Sequence, residues 1–196
     1  MNDHRPAGLI LAGGRGERLG GCEKGLLTWQ GEPFVAAISR ALRPVVSALA
    51  VSANRELAAY GRWADAVLPD NEYPETGPLS GLYEGLSWAR EQNRAGVIVA
   101  TCDAPRLPPA WAVDMATRAE QEPEVVHLTQ QADRYHPLHG YFPVSVLPQI
   151  ERALLDNERR VQAVVAQLPV QWWDCDDFGT DLININRPED LERLTS

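Results

Sequence analysis

Ala7-Gly8-Leu9-Ile10-Leu11-Ala12 runs directly into Gly13-Gly14-Arg15-Gly16-Glu17-Arg18-Leu19-Gly20-Gly21, and Lys24 follows shortly after. The first six residues are apolar without alternation, the pattern of a strand buried on both faces of a parallel sheet. Five of the next nine are glycine, so main-chain N–H groups there can approach a ligand with few side chains in the way. An apolar strand emptying into such a loop points to an open α/β sheet, whose ligands bind beyond the carboxyl ends of the strands.

The rest of the chain keeps that rhythm. Apolar runs at 47–52, 66–68 and 96–101 read as further strands, ending at Asn54-Arg55, Pro69-Asp70 and Cys102-Asp103. Between them, helical spacing covers 34–42, 56–60 and 79–89, the last with Leu79, Leu82, Leu86 and Ala89 on one face. Strands alternating with helices over short links predict an α/β, mostly parallel, doubly wound sheet in a single domain. The second half is less regular: strands are expected at 124–128, 136–142 and 170–173, with helices at 144–155, 161–168 and, behind a Pro-Glu-Asp first turn, 188–194.

Composition bounds the function. The 196 residues are enough for one domain burying about 70% of its unfolded surface. The longest near-apolar stretch, 44–53, carries two serines and is about half of what a membrane span needs. The N-terminus is polar and lacks an apolar signal region, so no secretory signal is expected. A net charge of −9 argues against long nucleic acid, though not against a small anion in a local basic pocket. Three cysteines with no C-x-x-C spacing fit neither a disulfide scaffold nor a zinc cluster, and suit a reducing cytoplasm.

The glycine loop is not one of the common phosphate motifs. A dinucleotide fingerprint starting at Gly14 needs glycine where Leu19 stands, and a Walker loop needs Ser or Thr after the lysine, where Gly25 stands. Among eighteen basic residues Lys24 is the one lysine. A compact ammonium does what a guanidinium fork does not, and with Arg15 and Arg18 it gives enough local charge to face a triphosphate. A solvated surface loop is the alternative. Asp103, just past an apolar strand, is placed either to hold Mg2+ against phosphate oxygens or to cap a helix starting near Pro109.

Other polar groups are weaker signals. His136 and His139 form H-x-x-H, but strand positions three apart face opposite sides, so one is expected at a ligand phosphate and the other in a structural role. Arg159-Arg160 suits an anionic second substrate or a solvated helix face. Asn184-Ile185-Asn186 either sets two amides on one face of a strand, a comb for a heterocycle, or is a strand-to-helix turn. Cys22 has no base beside it, and no G-x-S-x-G occurs.

In order and spacing, Leu11-Ala12-Gly13-Gly14-x-x-x-Arg18-x-Gly20…Lys24, Asn54-Arg55, Pro69-Asp70, Gly77-Pro78-Leu79-x-Gly81, Cys102-Asp103-x-Pro105, His136-Pro137, Glu158-Arg159-Arg160-Val161 and Asn184-x-Asn186-x-Pro188-Glu189 resemble molybdopterin nucleotidyltransferases, the molybdenum cofactor guanylyltransferases in particular. That resemblance implies a glycosyltransferase-A-like, Rossmann-like fold over 1–196, with nucleotide on about 7–105 and acceptor on about 106–196. It implies GMP transfer from GTP to the terminal phosphate of molybdopterin, releasing pyrophosphate, with Mg2+ as cofactor. By position, Leu11, Ala12, Gly13 and Gly14 line the guanine and phosphate site, Lys24 meets the phosphates, Asn54 helps hold the base, Asp70 lies near the nucleoside and Asp103 ligates the metal. Arg18 joins Lys24 and Asp103 in the catalytic set, while His136, Arg159, Asn184 and Asn186 are expected toward the acceptor. Transient contacts with cofactor-synthesis proteins and recipient molybdoenzymes follow from the resemblance too.

The departures are Gly16 for the usual Ser or Ala, Leu19 for Met, Glu23 for Asp and Arg187 for Thr. Two rival activities share these residues: cytidylyl transfer to the same pterin, or nucleotidyl transfer to a sugar phosphate. A nucleotide-binding sensor without turnover is a third alternative, against which the presence of both Lys24 and Asp103 counts, since a pure binder does not need the metal carboxylate.

Overall fold

Nine residues of β1 and its exit, 5–13, are described by the computed structural model together with 23–74, 76–175, 182, 185 and 190. In that description β1 (Ala7–Leu11) is wholly buried, as its unalternating apolar run requires. Successive residues point to opposite layers: Ile10 and Ala12 enter one core, Leu9 and Leu11 the other.

The chain then forms a small antiparallel hairpin, β2 (Thr28–Trp29) and β3 (Glu32–Pro33), before α1 (Phe34–Leu42). Apolar side chains of α1 at Val35, Ile38, Ala41 and Leu42 make the stripe that faces the sheet. β4 (Leu49–Ser52), α2 (Leu57–Tyr60) and β5 (Ala66–Leu68) follow, then α3 (Pro78–Glu91) and β6 (Gly96–Thr101). At the start of α3, Gly77 adopts φ 79° and ψ −154°, a region open essentially to glycine alone, and Pro78 supplies a preset first turn.

α4 (Pro109–Gln121) leads to β7 (Val126–Gln131) and β8 (Arg134–Pro143), and α5 (Leu147–Leu155) and α6 (Val161–Val165) precede β9 (Val170–Asp174). The sheet order is β5-β4-β1-β6-β8-β7-β9. β5, β4, β1 and β6 are mutually parallel, β8 is antiparallel to both neighbours, and β9 is parallel to β7. The core on one face joins α1 and α4 to the sheet through Ile38, Trp111 and Met115, and the core on the other joins α3 and α5 through Leu82, Leu86 and Ile150. Each such side chain, fully buried, contributes about 1.5–3 kcal/mol. The expected α/β, mostly parallel architecture is therefore present. No helix among the described residues is long and apolar enough to cross a membrane.

Differences from the sequence reading have local causes. The hairpin, unexpected, turns on Gln30 and Gly31, both at positive φ, the geometry of a tight type I′ connection. The 144–155 helix begins as a 3-10 turn and becomes α-helical only at Leu147. His136 and His139 do not face opposite sides. The β7–β8 register slips between Leu128↔Gly140 and Thr129↔His136, so Pro137, Leu138 and His139 bulge out of the pairing. A bulge breaks the alternation that the expectation assumed, and the two imidazoles meet edge to face, centroids 5.8 Å apart. The expected 188–194 helix lies outside the described residues.

Candidate active site

After β1 the chain passes outward to β4 and β5, then returns across β1 to β6. The switch in direction falls between β1 and β6, where open α/β sheets bind ligands. Four strand exits stand in a row along that edge: Asp70 after β5, Asn54 after β4, Gly13 after β1 and Asp103 after β6. At an inter-strand spacing near 4.8 Å the row spans about 14 Å, room for a nucleotide laid across the strand ends.

Asn54 and Asp70 form one unit. The Asn54 amide donates to Asp70 Oδ2 at 2.8 Å, and Asn54 Oδ1 accepts the Asp70 N–H at 2.8 Å. This reciprocal pair fixes the amide orientation and ties the β4 and β5 exits together. In the centre of the row, Ala12 gives its N–H to Ser52 O and Leu11 gives its carbonyl to the Cys102 N–H. The backbone open to a ligand thus begins at the Ala12 carbonyl and Gly13, whose Cα faces open space. Gly14, Arg18 and Cys22 lie outside the described residues.

Lys24 and Asp103 meet at the far end of the row. Lys24 Nζ donates to Asp103 Oδ2 at 3.3 Å, with the two side chains 14% and 21% exposed. The other carboxylate oxygen accepts from the Thr101 hydroxyl. Asp103 is not a helix cap: α4 starts behind Pro108, with no side-chain cap. Lys24 opens a 3-10 turn, 24–26, locked from behind. Glu23 accepts Arg55 Nε at 2.7 Å and the Tyr60 hydroxyl at 3.3 Å. Burial pushes the Tyr60 hydroxyl far above its ordinary range, so it remains a donor. Gly25 is required by this contact, since a Cβ there would lie 2.8 Å from the Tyr60 oxygen.

His136 and His139 are both buried behind Asp103. His139 Nε2 accepts the Thr101 N–H at 3.5 Å and lies 3.3 Å from Thr101 Oγ1. Burial lowers both imidazoles below their ordinary pKa, so both are neutral at pH 7. Among the described residues His136 Nε2 is buried without a hydrogen-bond partner.

Arg159 is exposed and donates to Asn157 Oδ1 at 3.2 Å, while Arg160 pairs with Glu158 at 2.8 Å. Because β8 descends and α5 climbs back, this turn returns to the same edge of the sheet. Asn184 and Asn186 lie outside the described residues, but Ile185 between them donates its N–H to the Asp103 carbonyl at 2.7 Å and packs on Phe34. Cys102 is buried, its thiol pushed up to about 12 by burial, so it is no nucleophile. Sequence reasoning missed Thr101 and the Glu23–Tyr60 lock. A hydroxyl two residues before a strand-end aspartate is a signal that could have found the first.

Asp103 offers one partly exposed carboxylate, and no group of three or more metal-ligating side chains occurs among the described residues. A single carboxylate completed by water and substrate phosphates is how Mg2+ is usually held. The site therefore fits that ion and not an all-protein metal cage.

Residues 8–172 match the MobA-like NTP transferase domain. Over 184 residues, 94% of each chain, the protein is 39% identical to the molybdenum cofactor guanylyltransferase of Pseudomonas putida GB-1. It is 37% identical to that of P. putida F1 over 98% of this chain and all of that one. The crystal structure of molybdopterin-guanine dinucleotide biosynthesis protein A from Archaeoglobus fulgidus superposes with a TM-score of 0.75 at 22% identity, covering 95% of each chain, a likeness of fold. The chain thus belongs to the MobA-like NTP transferase family as a nucleotidyltransferase.

Proposed function

We propose that this protein transfers GMP from GTP to the terminal phosphate of molybdopterin, free or molybdenum-loaded. An acceptor phosphate oxygen bonds to the α-phosphorus, the bond to the bridging oxygen of the β-phosphate breaks, and its electron pair leaves with pyrophosphate. The observation that carries this reading is the Lys24–Asp103 pair at the strand-order switch, within a chain 39% identical to a named guanylyltransferase.

The chemistry asks little of side chains beyond placement and charge. A phosphate monoester has its second pKa near 6, so the attacking oxygen is already anionic at neutral pH and needs no general base. Phosphoryl-type transfers are then governed by positioning and charge neutralisation. Asp103 would hold Mg2+, which when bound neutralises phosphate charge. Lys24 contributes an ammonium to the same phosphates, and the Ala12–Gly13 backbone and the Asn54–Asp70 unit fix the nucleoside end. Gly14 and Arg18 extend the phosphate side of this assignment.

The nucleotide is assigned to about 7–105 and the acceptor to about 106–196. His136, with its unpartnered buried Nε2, Arg159 on the neighbouring turn, and Asn184 and Asn186 form the acceptor set. The reaction belongs in the cytoplasm, with transient hand-over to cofactor-synthesis and recipient enzymes.

Calorimetric titration with GTP, CTP, ATP and UTP in Mg2+ tests the assignment, followed by pyrophosphate release on adding molybdopterin. GTP binding ahead of the others with acceptor-dependent release supports it. CTP ahead reassigns the base, and binding without release makes the chain a sensor.

A further inference from the structure

The carboxylate of Asp103 is held from behind by two residues that touch no substrate in the reaction just described. The β6–β8 ladder ends at Val99↔Gly140, so the N–H of Thr101, last residue of β6, has no β8 carbonyl to meet. The bulge at 137–139 turns the His139 side chain into that position instead. The imidazole is 3% exposed, lies edge-on to Trp111 with centroids 6.4 Å apart, and accepts the Thr101 N–H through Nε2. A side chain thus finishes a strand where the ladder stops.

The same threonine directs the carboxylate. Its hydroxyl has one proton, and that proton goes to Asp103 Oδ1, while Lys24 takes Oδ2. Each oxygen has a different donor, so the carboxylate plane is fixed and the ammonium does not close on both oxygens. His139, neutral through burial, adds no second positive charge beside a cation site.

We propose that Thr101 and His139 are positioning residues for a divalent cation: His139 fixes the end of β6, and Thr101 orients the Asp103 carboxylate to accept the metal that accompanies the nucleotide. The proposal rests on the reading of Asp103 as the metal carboxylate. It assigns a role to His139, the half of H-x-x-H that the transfer chemistry leaves unused.

The test is calorimetric GTP binding to the full chain, in Mn2+ and in EDTA, for wild type, Thr101→Val, Thr101→Ser, His139→Phe and Asp103→Asn. Partners behind a metal ligand typically affect metal affinity by about 10–100-fold. Thr101→Val should therefore lose about tenfold or more of the gain that Mn2+ gives, with GTP affinity in EDTA unchanged. Thr101→Ser should keep the gain, and His139→Phe should lose it in part. A purely structural role lowers affinity equally with and without metal, together with the melting temperature. A Thr101→Val gain equal to wild type, or loss in EDTA as large as in Mn2+, overturns the proposal. If wild type shows no metal gain, or Asp103→Asn keeps it, the reading of Asp103 fails first. Should Thr101→Val not fold, Thr101→Ser and His139→Phe still decide, since a serine that loses the gain contradicts the hydroxyl's role.

Discussion

Lys24 and Asp103 stand 79 positions apart in the chain, yet their side chains meet at 3.3 Å beyond the carboxyl edge of the sheet. Without ligand each cancels the other, so a polyanion sees little net field from the pair. On the proposed reading, bound nucleotide and its metal would separate them, Lys24 serving the phosphates and Asp103 the cation.

Replacement of Asp103 by Asn should abolish pyrophosphate release and leave the fold intact, because the amide keeps the volume and can still accept from Thr101. It should also remove the carboxylate that competes with phosphate for the Lys24 ammonium, so GTP binds as tightly as before, or tighter, in EDTA. Turnover at the wild-type rate would remove Asp103 from the mechanism.

Lys24→Ala should weaken GTP by about 1.5–3 kcal/mol, the range for hydrogen bonds to charged groups, read by calorimetry. Lys24→Arg should not restore it. A planar fork directs its donors in a plane, and the Glu23-Arg55-Tyr60 lock leaves the 24–26 turn no freedom to adjust. Unchanged affinity in Lys24→Ala would make the lone lysine a coincidence.

The strand exits were legible because a buried parallel strand writes itself as an unbroken apolar run: 47–52, 66–68 and 96–101 are each followed two positions on by a polar residue that the edge now displays, and 7–12 by Gly13. Lys24 and Asp103 were legible for different reasons, one by rarity and one by position past an apolar run. The His136–His139 contact was not. It depends on a register slip set by how β7 and β8 pair, for which Pro137, unable to donate to a ladder, is a local sign that gives neither the extent of the bulge nor the direction of His139. Thr101 was hidden differently: inside an apolar run a threonine reads as a β-branched filler, and only the Asp103 turn brings its hydroxyl back onto the carboxylate.

Gly25→Ala tests the lock behind Lys24. The added methyl would sit 2.8 Å from the Tyr60 oxygen and 2.9 Å from its ring, and Tyr60 is fully buried, so it has no free end to swing away. Overpacking of this kind costs about 1–3 kcal/mol. The expected result is a lower urea midpoint together with a raised KM for GTP, because the turn carrying Lys24 is displaced. Gly25→Ala combined with Tyr60→Phe should recover part of both losses. A single variant indistinguishable from wild type would show that the turn is free to shift.

Stability should fall on acidification through the buried histidines. Burial brings His139 from 6.5 down to about 4, and His136 is lowered by the same cause. Below 6.5 the unfolded chain takes up protons that the folded imidazoles refuse, so protonation favours unfolding and stability declines as pH drops from about 6.5 toward 4. Above 6.5 these groups contribute no slope. For His139 alone the 2.5-unit difference corresponds to roughly 3 kcal/mol at pH 4, and carboxylates add their own dependence in the same range. The informative quantity is therefore the difference between wild type and His139→Gln, whose amide can still accept the Thr101 N–H but does not titrate. Urea midpoints at pH 7.5, 6.0 and 5.0 should converge for the two proteins as pH falls, with the glutamine variant losing less. Parallel curves across that window would show that His139 takes up its proton in the folded state as readily as in the unfolded chain.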